Sequence, residues 1–157
     1  MKSETEIIVA ELIKLLKGGG AHVGLQDATK DVPFHLLGER PHQLPYSIWQ
    51  LTEHIRIAQW DMLEFSKDAN YKSIKWPDDY WPKETSPTDE TIWNNTLFEI
   101  ERDLNEFILM IQNQNIFDPI LHGNGQSILR EALQVADHNA YHIGEIIVIR
   151  RLLGAWK

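Results

Sequence analysis

Histidine is the residue type in this chain best placed to do chemistry. His138 and His142 stand four apart in a segment with helical apolar spacing, so two imidazoles stack on one helix face, one turn apart, close enough to share a metal ion. Ile128, Val135 and Ile149 keep the same heptad-like spacing, so the pair points toward the core. Imidazoles taken out of water need partners for their ring nitrogens, and a metal is one way to supply them. A third ligand must come from another helix. His54 is the best candidate, on the flank of a second apolar seam and about 60° from its centre by the helical period. Three imidazoles leave at least one coordination position open, the pattern of a catalytic site and not of a closed structural one. The plainer alternative is a pair of core-edge histidines bonded to carbonyls or to carboxylates such as Asp137 or Glu145.

The other four of the seven histidines are less well placed. His35, His42 and His122 fall in Pro- and Gly-rich connections and read as surface residues. His22 follows a triple glycine and is the next suspect as a ligand, facing the cleft.

These residues need helices to hold them. Ser3 and Glu6 form a capping box ahead of Ile7, Ile8, Leu12, Leu15 and Leu16, and Gly18-Gly19-Gly20 ends that first helix. A shorter helical stretch is predicted from about His22 to Asp31, followed by an irregular connection through Pro33, Gly38, Pro41 and Pro45. Ser47 and Gln50 cap the clearest helix, whose seam is Ile48, Leu51, Ile55, Ala58, Met62 and Phe65. Tyr71 to Pro87 is a long loop holding Trp76-Pro77 and Trp81-Pro82. It is too aromatic for a solvated linker, so it should pack back over the helices or rim a cleft. The next helix is predicted to start near Pro87 after the cap Ser86, with Trp93, Leu97, Ile100, Leu104, Phe107 and Ile111 as its seam. A polar connection from Asn113 to Gly125 leads to the last helix, Ser127 to Leu153. Arg150 and Arg151 suit its C-terminal dipole, and Gly154 suits a left-handed cap. With no strand alternation and no repeat, residues 1–157 read as one all-α domain, an up-down four-helix bundle with an extra short helix and a long Trp/Pro-rich loop.

Bulk composition narrows the function. The apolar fraction of 43% is enough for a core, and a formal net charge of −8 disfavours a nucleic-acid partner. With no cysteine, disulfides, thiolate metal sites and a Cys nucleophile are excluded. No secretory signal and no membrane-length apolar run are recognised, so the expected location is cytoplasmic, with no membrane partner.

The stretches Leu51-Thr52-Glu53-His54-Ile55-Arg56-Ile57-Ala58-Gln59-Trp60-Asp61 and Asp137-His138-Asn139-Ala140-Tyr141-His142-Ile143-Gly144-Glu145-Ile146 resemble the DinB-like superfamily, the DinB/YfiT-type metal-dependent hydrolases. The second is the more specific, and the resemblance covers most of the chain. It implies a four-helix bundle with a divalent metal, usually nickel or zinc, on three histidines. One comes from the second core helix and two from the last, which here are His54, His138 and His142. It also implies thiol-dependent chemistry, such as bacillithiol S-transfer or mycothiol-dependent isomerisation, and frequent homodimers. Helix one and the Trp-rich loop are the surfaces suspected in a dimer.

The leading expectation is an enzyme that binds a low-molecular-weight thiol as thiolate and delivers it to a small-molecule electrophile. The sulfur would be the cosubstrate's, which suits a chain without Cys. Glu53, Asp61 and Glu145 are candidates to orient the imidazoles, and Asn139 and Tyr141 to touch substrate, each against the alternative of a solvated or helix-packing role. Metal-assisted hydrolysis is the second reading. It lacks an evident general base, since the nearby carboxylates are expected to point away. A non-enzymatic metal-binding or interaction bundle is the third.

Overall fold

The computed structural model describes residues 2–156, and all their regular structure is helical. Helix α1 spans Glu4–Lys17, α2 Leu25–Thr29, α3 Ile48–Lys67, α4 Glu90–Asn113 and α5 Ile128–Leu152. Short 3-10 turns at Phe34–Leu36 and Pro41–Gln43 lie between α2 and α3.

The helix ends follow local chemistry. Ser3 with Glu6, and Ser47 with Gln50, form full capping boxes. Ser127 accepts from the Arg130 amide at the start of α5. That helix closes on Gly154 at φ +69°. The Gly154 amide donates to the Arg151 carbonyl at 3.1 Å and the Ala155 amide to the Arg150 carbonyl at 2.8 Å, a complete Schellman motif. Two boundaries differ from the sequence reading. Helix α4 starts at Glu90, not near Pro87, because Asp89 rather than Ser86 supplies the capping oxygen, accepting from the Ile92 amide at 3.0 Å. The short helix covers only Leu25–Thr29. The residues before it are spent on a tight reversal, in which a Cβ at Gly18 (φ +68°) would lie 3.1 Å from the Gly24 Cα.

The order of helix directions also corrects the expected up-down pattern. Pairs between α3 and α4 advance together along both helices: Glu53 with Thr96, Arg56 with Glu99, Gln59 with the Ile100 carbonyl, Lys67 with Glu106. The two helices are therefore parallel. Helix α5 runs against them: Ile48 at the start of α3 shares a cluster with Ile149, and Leu63 near its end shares one with Ile128. A parallel pair cannot be joined by a tight turn. Helix α3 is about 30 Å long at the usual rise, and residues 68–89 have to run back along that length. The Trp/Pro-rich segment is this crossover, and it passes the middle of α3 on the way.

Two apolar clusters form the core. One gathers Leu63, Phe107, Ile111 and Val135 with Leu12 and Leu16 of α1, and the other gathers Leu51, Ile55, Ile100, Ile146 and Leu37. The connection after α4 is less polar in effect than in sequence, because Ile116 and Ile120 are buried in the first cluster. A polar layer containing His54, Gln59, His138 and His142 links α3 to α5 through the His54–His138 and Gln59–Asn139 contacts.

Candidate metal centre

The three histidines meet in that layer. Each offers one ring nitrogen, and the three nitrogens lie within 4.8 Å of one another. His54 is 1% exposed and His142 7% exposed; His138 is half-buried. His54 comes from α3, and the other two come from consecutive turns of the antiparallel α5.

The other ring nitrogen of each histidine faces an acceptor, and the acceptors are of three kinds. His54 Nδ1 lies 2.8 Å from the carbonyl of Tyr80, in the crossover. His142 Nδ1 lies 2.7 Å from Glu145 Oε2, one turn on along α5. His138 Nδ1 faces Asn139 Oδ1 at 3.5 Å, the long end of the hydrogen-bonding range. Asn139 is oriented in turn, because its Nδ2 donates to Gln59 Oε1 at 3.0 Å while Gln59 Nε2 donates to the Ile100 carbonyl at 2.7 Å. A carbonyl and a carboxylate oxygen can only accept, so Tyr80 and Glu145 place a proton on Nδ1 of His54 and of His142, and in His54 this leaves the Nε2 lone pair free.

His54 Nε2 and His138 Nε2 are 3.0 Å apart. Two lone pairs at that distance repel unless a proton or a metal ion lies between them. A proton can lie there without charge only if His138 takes its Nε2–H tautomer and gives up the 3.5 Å contact to Asn139. An imidazolium is disfavoured, because burial, first, and the neighbouring imidazoles push both histidines down to about 4 from the usual 6.5, the Tyr80 carbonyl opposing this only in part for His54. A divalent ion fits. Zinc–nitrogen bonds of about 2.05 Å in tetrahedral array put the nitrogens about 3.3 Å apart. The donor set, three imidazoles whose Nδ1 atoms face a carbonyl, an amide and a carboxylate, fits a metal ion.

The crossover closes the site from one side. The Trp81 ring stacks on His54 at 3.8 Å between centroids and 8° between planes, and Tyr46 stacks on the far face of Trp81 at 3.9 Å. Asp61, two turns beyond His54 on α3, anchors the same segment by accepting from Tyr71 Oη at 2.7 Å and Tyr80 Oη at 2.6 Å. Burial, and then the Asp61 carboxylate, hold both phenols protonated well above their usual range.

Of the carboxylates considered from sequence, only Glu145 reaches an imidazole. This overturns the expectation that every carboxylate near the histidines points away, since Glu145 sits three residues from His142, on the same face. Asp61 acts on the loop instead. Glu53 is used between helices, paired with Arg56 and accepting from Thr96 Oγ1 at 2.9 Å. Tyr141 packs edge-on against His142 with centroids 5.0 Å apart and is two-thirds exposed, at the mouth of the site. His22 is exposed, with Nδ1 2.8 Å from the Val23 carbonyl, and takes no part; His35 and His42 are exposed as well. His122 is exposed with Nε2 2.6 Å from the Phe65 carbonyl, tethering the loop before α5 to the end of α3.

Sequence reasoning placed the Trp81 loop against the helices, as the stacking of Trp81 on His54 bears out, but did not find Gln59, Tyr46 or Tyr80. Gln59 had a signal, as a polar side chain beside the seam residue Ala58. Tyr80 acts through its backbone carbonyl, which no side-chain pattern reports. No helix among the described residues is long and apolar enough to cross a membrane. No family model, curated protein or solved structure matches the chain.

Proposed function

We propose that this protein is a metal-dependent, DinB-like enzyme that joins an intact low-molecular-weight thiol, as its thiolate, to a small electrophile. The thiol gives up its proton, its sulfur forms the new bond to carbon, and the electrophile's leaving group departs with the displaced electron pair. The observation that carries the reading is the convergence of one ring nitrogen from each of three histidines within 4.8 Å, while a second nitrogen of each ring faces a different acceptor. The family assignment rests on the resemblance of the His54 and His138–His142 segments. The four long helices α1, α3, α4 and α5 are read as that family's bundle, joined by one long crossover.

A divalent ion on the imidazoles, zinc or nickel by donor type, would supply charge that favours the thiolate form of a bound thiol. The chain's own residues do the rest. Tyr80 and Glu145 fix the tautomers of His54 and His142, and the Trp81 ring shields one side of His54 from water. Tyr141 stands where an incoming molecule would pass.

Hydrolysis is the second reading, and one observation favours it: the Glu145 carboxylate is beside the site and could accept a proton. Its bond to His142 already uses one oxygen, so the transferase reading is preferred.

The test is elemental analysis of protein purified without a His tag, beside the His138→Ala/His142→Ala double variant. About one zinc or nickel per chain is expected, and its loss in the variant with far-UV helicity retained. Thiol consumption with simple alkylating electrophiles then separates transferase from hydrolase. Absence of metal in both forms, even after adding zinc and nickel, refutes the reading.

A further inference from the structure

A cleft of about 390 Å³ opens beside the histidines. Leu44, Pro45, Leu51, Val148 and Ile149 form its apolar walls. Tyr46, Tyr141 and Glu145 also line it, and each of the three leads to the metal centre: Tyr46 through Trp81 to His54, Tyr141 and Glu145 directly to His142. Among the described residues no lysine or arginine lines it, and Glu145 is its one charged group.

The remaining lining residue is Gly144, inside α5. A glycine in a helix interior is less stable there than alanine. Packing does not require it here, because a Cβ on Gly144 would meet nothing within 4 Å. Gly38 shows the contrast, for its Cβ would lie 2.7 Å from the Ser86 Cβ. The backbone does not require it either, since Gly144 has helical, not positive, φ. What the missing side chain leaves free is volume in the cleft.

We propose that this cleft binds the apolar, uncharged part of the electrophile, and that Gly144 sets the size of group admitted. The proposal rests on the transferase reading for the identity of the ligand as electrophile, but the binding it asserts does not depend on turnover. The volume is at the small end of pockets that bury a small molecule, roughly 300–1,000 Å³. The apolar walls select aromatic or branched alkyl groups by burial. The Glu145 carboxylate, with no compensating cation, disfavours carboxylate, phosphate or sulfonate substituents.

The experiment is fluorescence titration of the full-length protein with N-phenyl-1-naphthylamine, a neutral probe, and with its 8-sulfonated analogue. Metal content and melting temperature are measured on the same samples. Saturable one-to-one binding of the neutral probe is expected, about tenfold or more tighter than the sulfonate. Gly144→Leu should weaken the neutral probe about tenfold or more with metal content unchanged. If Gly144→Leu does not fold, Gly144→Ala carries the test, with weaker binding expected despite a helix that propensity stabilises. The proposal is overturned by absence of saturable binding, by equal affinity for the sulfonate, or by full affinity in the glycine variant. A protein that passes but holds no metal keeps the cleft and loses the transferase reading; one that holds metal but fails loses only the cleft.

Discussion

Asp61→Asn tests whether the crossover positions His54. The Asp61 carboxylate accepts from Tyr71 and Tyr80 at 2.7 and 2.6 Å, and Tyr80 carries the carbonyl that faces His54 Nδ1. Hydrogen bonds to a charged acceptor contribute about 1.5–3 kcal/mol each, neutral ones about 0.5–1.5 kcal/mol. Asparagine keeps one neutral acceptor and turns its amide toward the second hydroxyl. Allowing for partial exposure, the anchor should weaken by about 2 kcal/mol. Two effects are expected. Amide exchange in residues 71–85 should accelerate, by roughly thirtyfold if that whole loss falls on local opening. Metal affinity should fall by about tenfold, the lower end for loss of an imidazole's orienting partner, because Tyr80 acts through its backbone. Competition with a chromophoric chelator reads the second quantity. Tyr80→Phe should move both in the same direction by less, since one of the two bonds survives. Faster exchange with an unchanged dissociation constant would show that the segment does not orient His54, and the reasoning would be wrong.

Glu145→Ala should lower metal affinity by about 10- to 100-fold and Glu145→Gln by less, because glutamine still offers His142 a neutral acceptor; equal effects would show that the charge does nothing. In the metal-free protein, His54 and His138 are held at about 4 while their unfolded counterparts titrate near 6.5. As pH falls from about 6.5 toward 4 the unfolded chain takes up protons the folded one refuses, so stability should drop by on the order of a few kcal/mol, read by urea melts across that range. A flat profile there would contradict the buried, neutral assignment. Arg150→Met should destabilise the fold by about 3 kcal/mol without changing metal content. Its guanidinium donates to the Ala28 carbonyl at 2.7 Å and the Ala155 carbonyl at 2.8 Å, lies over Trp156, and touches no histidine. Loss of metal in that variant would mean that the site and the C-terminal clamp are coupled.

The helices and the three histidines were legible because both are written in local periodicity. Ile48, Leu51 and Ile55 mark a buried stripe by spacing alone, and His138 and His142 share a face for the same reason. The direction of α4 was not legible. Nothing local distinguishes a helix that returns antiparallel from one that follows a crossover, and the information lies in pairs such as Arg56 with Glu99, which only the folded chain reveals. The carboxylate roles were ambiguous for a related reason. Glu53, Asp61 and Glu145 are chemically alike, and their partners, Arg56, two tyrosines and His142, are set by which neighbour each meets in space.

The crossover has a consequence for the site. Had α4 returned antiparallel through a short turn, no chain would pass the middle of α3, and His54 would lack both its carbonyl partner and its stacked Trp81. The parallel arrangement brings the Tyr80 backbone carbonyl to the level of the polar layer, where it faces His54 Nδ1. Three imidazoles, two of them buried, would otherwise weaken a core in which each unpartnered ring nitrogen costs about 1–3 kcal/mol. With every Nδ1 facing an acceptor, the remaining unmet demand falls on the convergent ring nitrogens. One divalent ion meets that demand, so metal binding should also raise the melting temperature, with a gain that follows ion concentration and vanishes in His54→Ala. A gain that survives in His54→Ala would place the ion elsewhere.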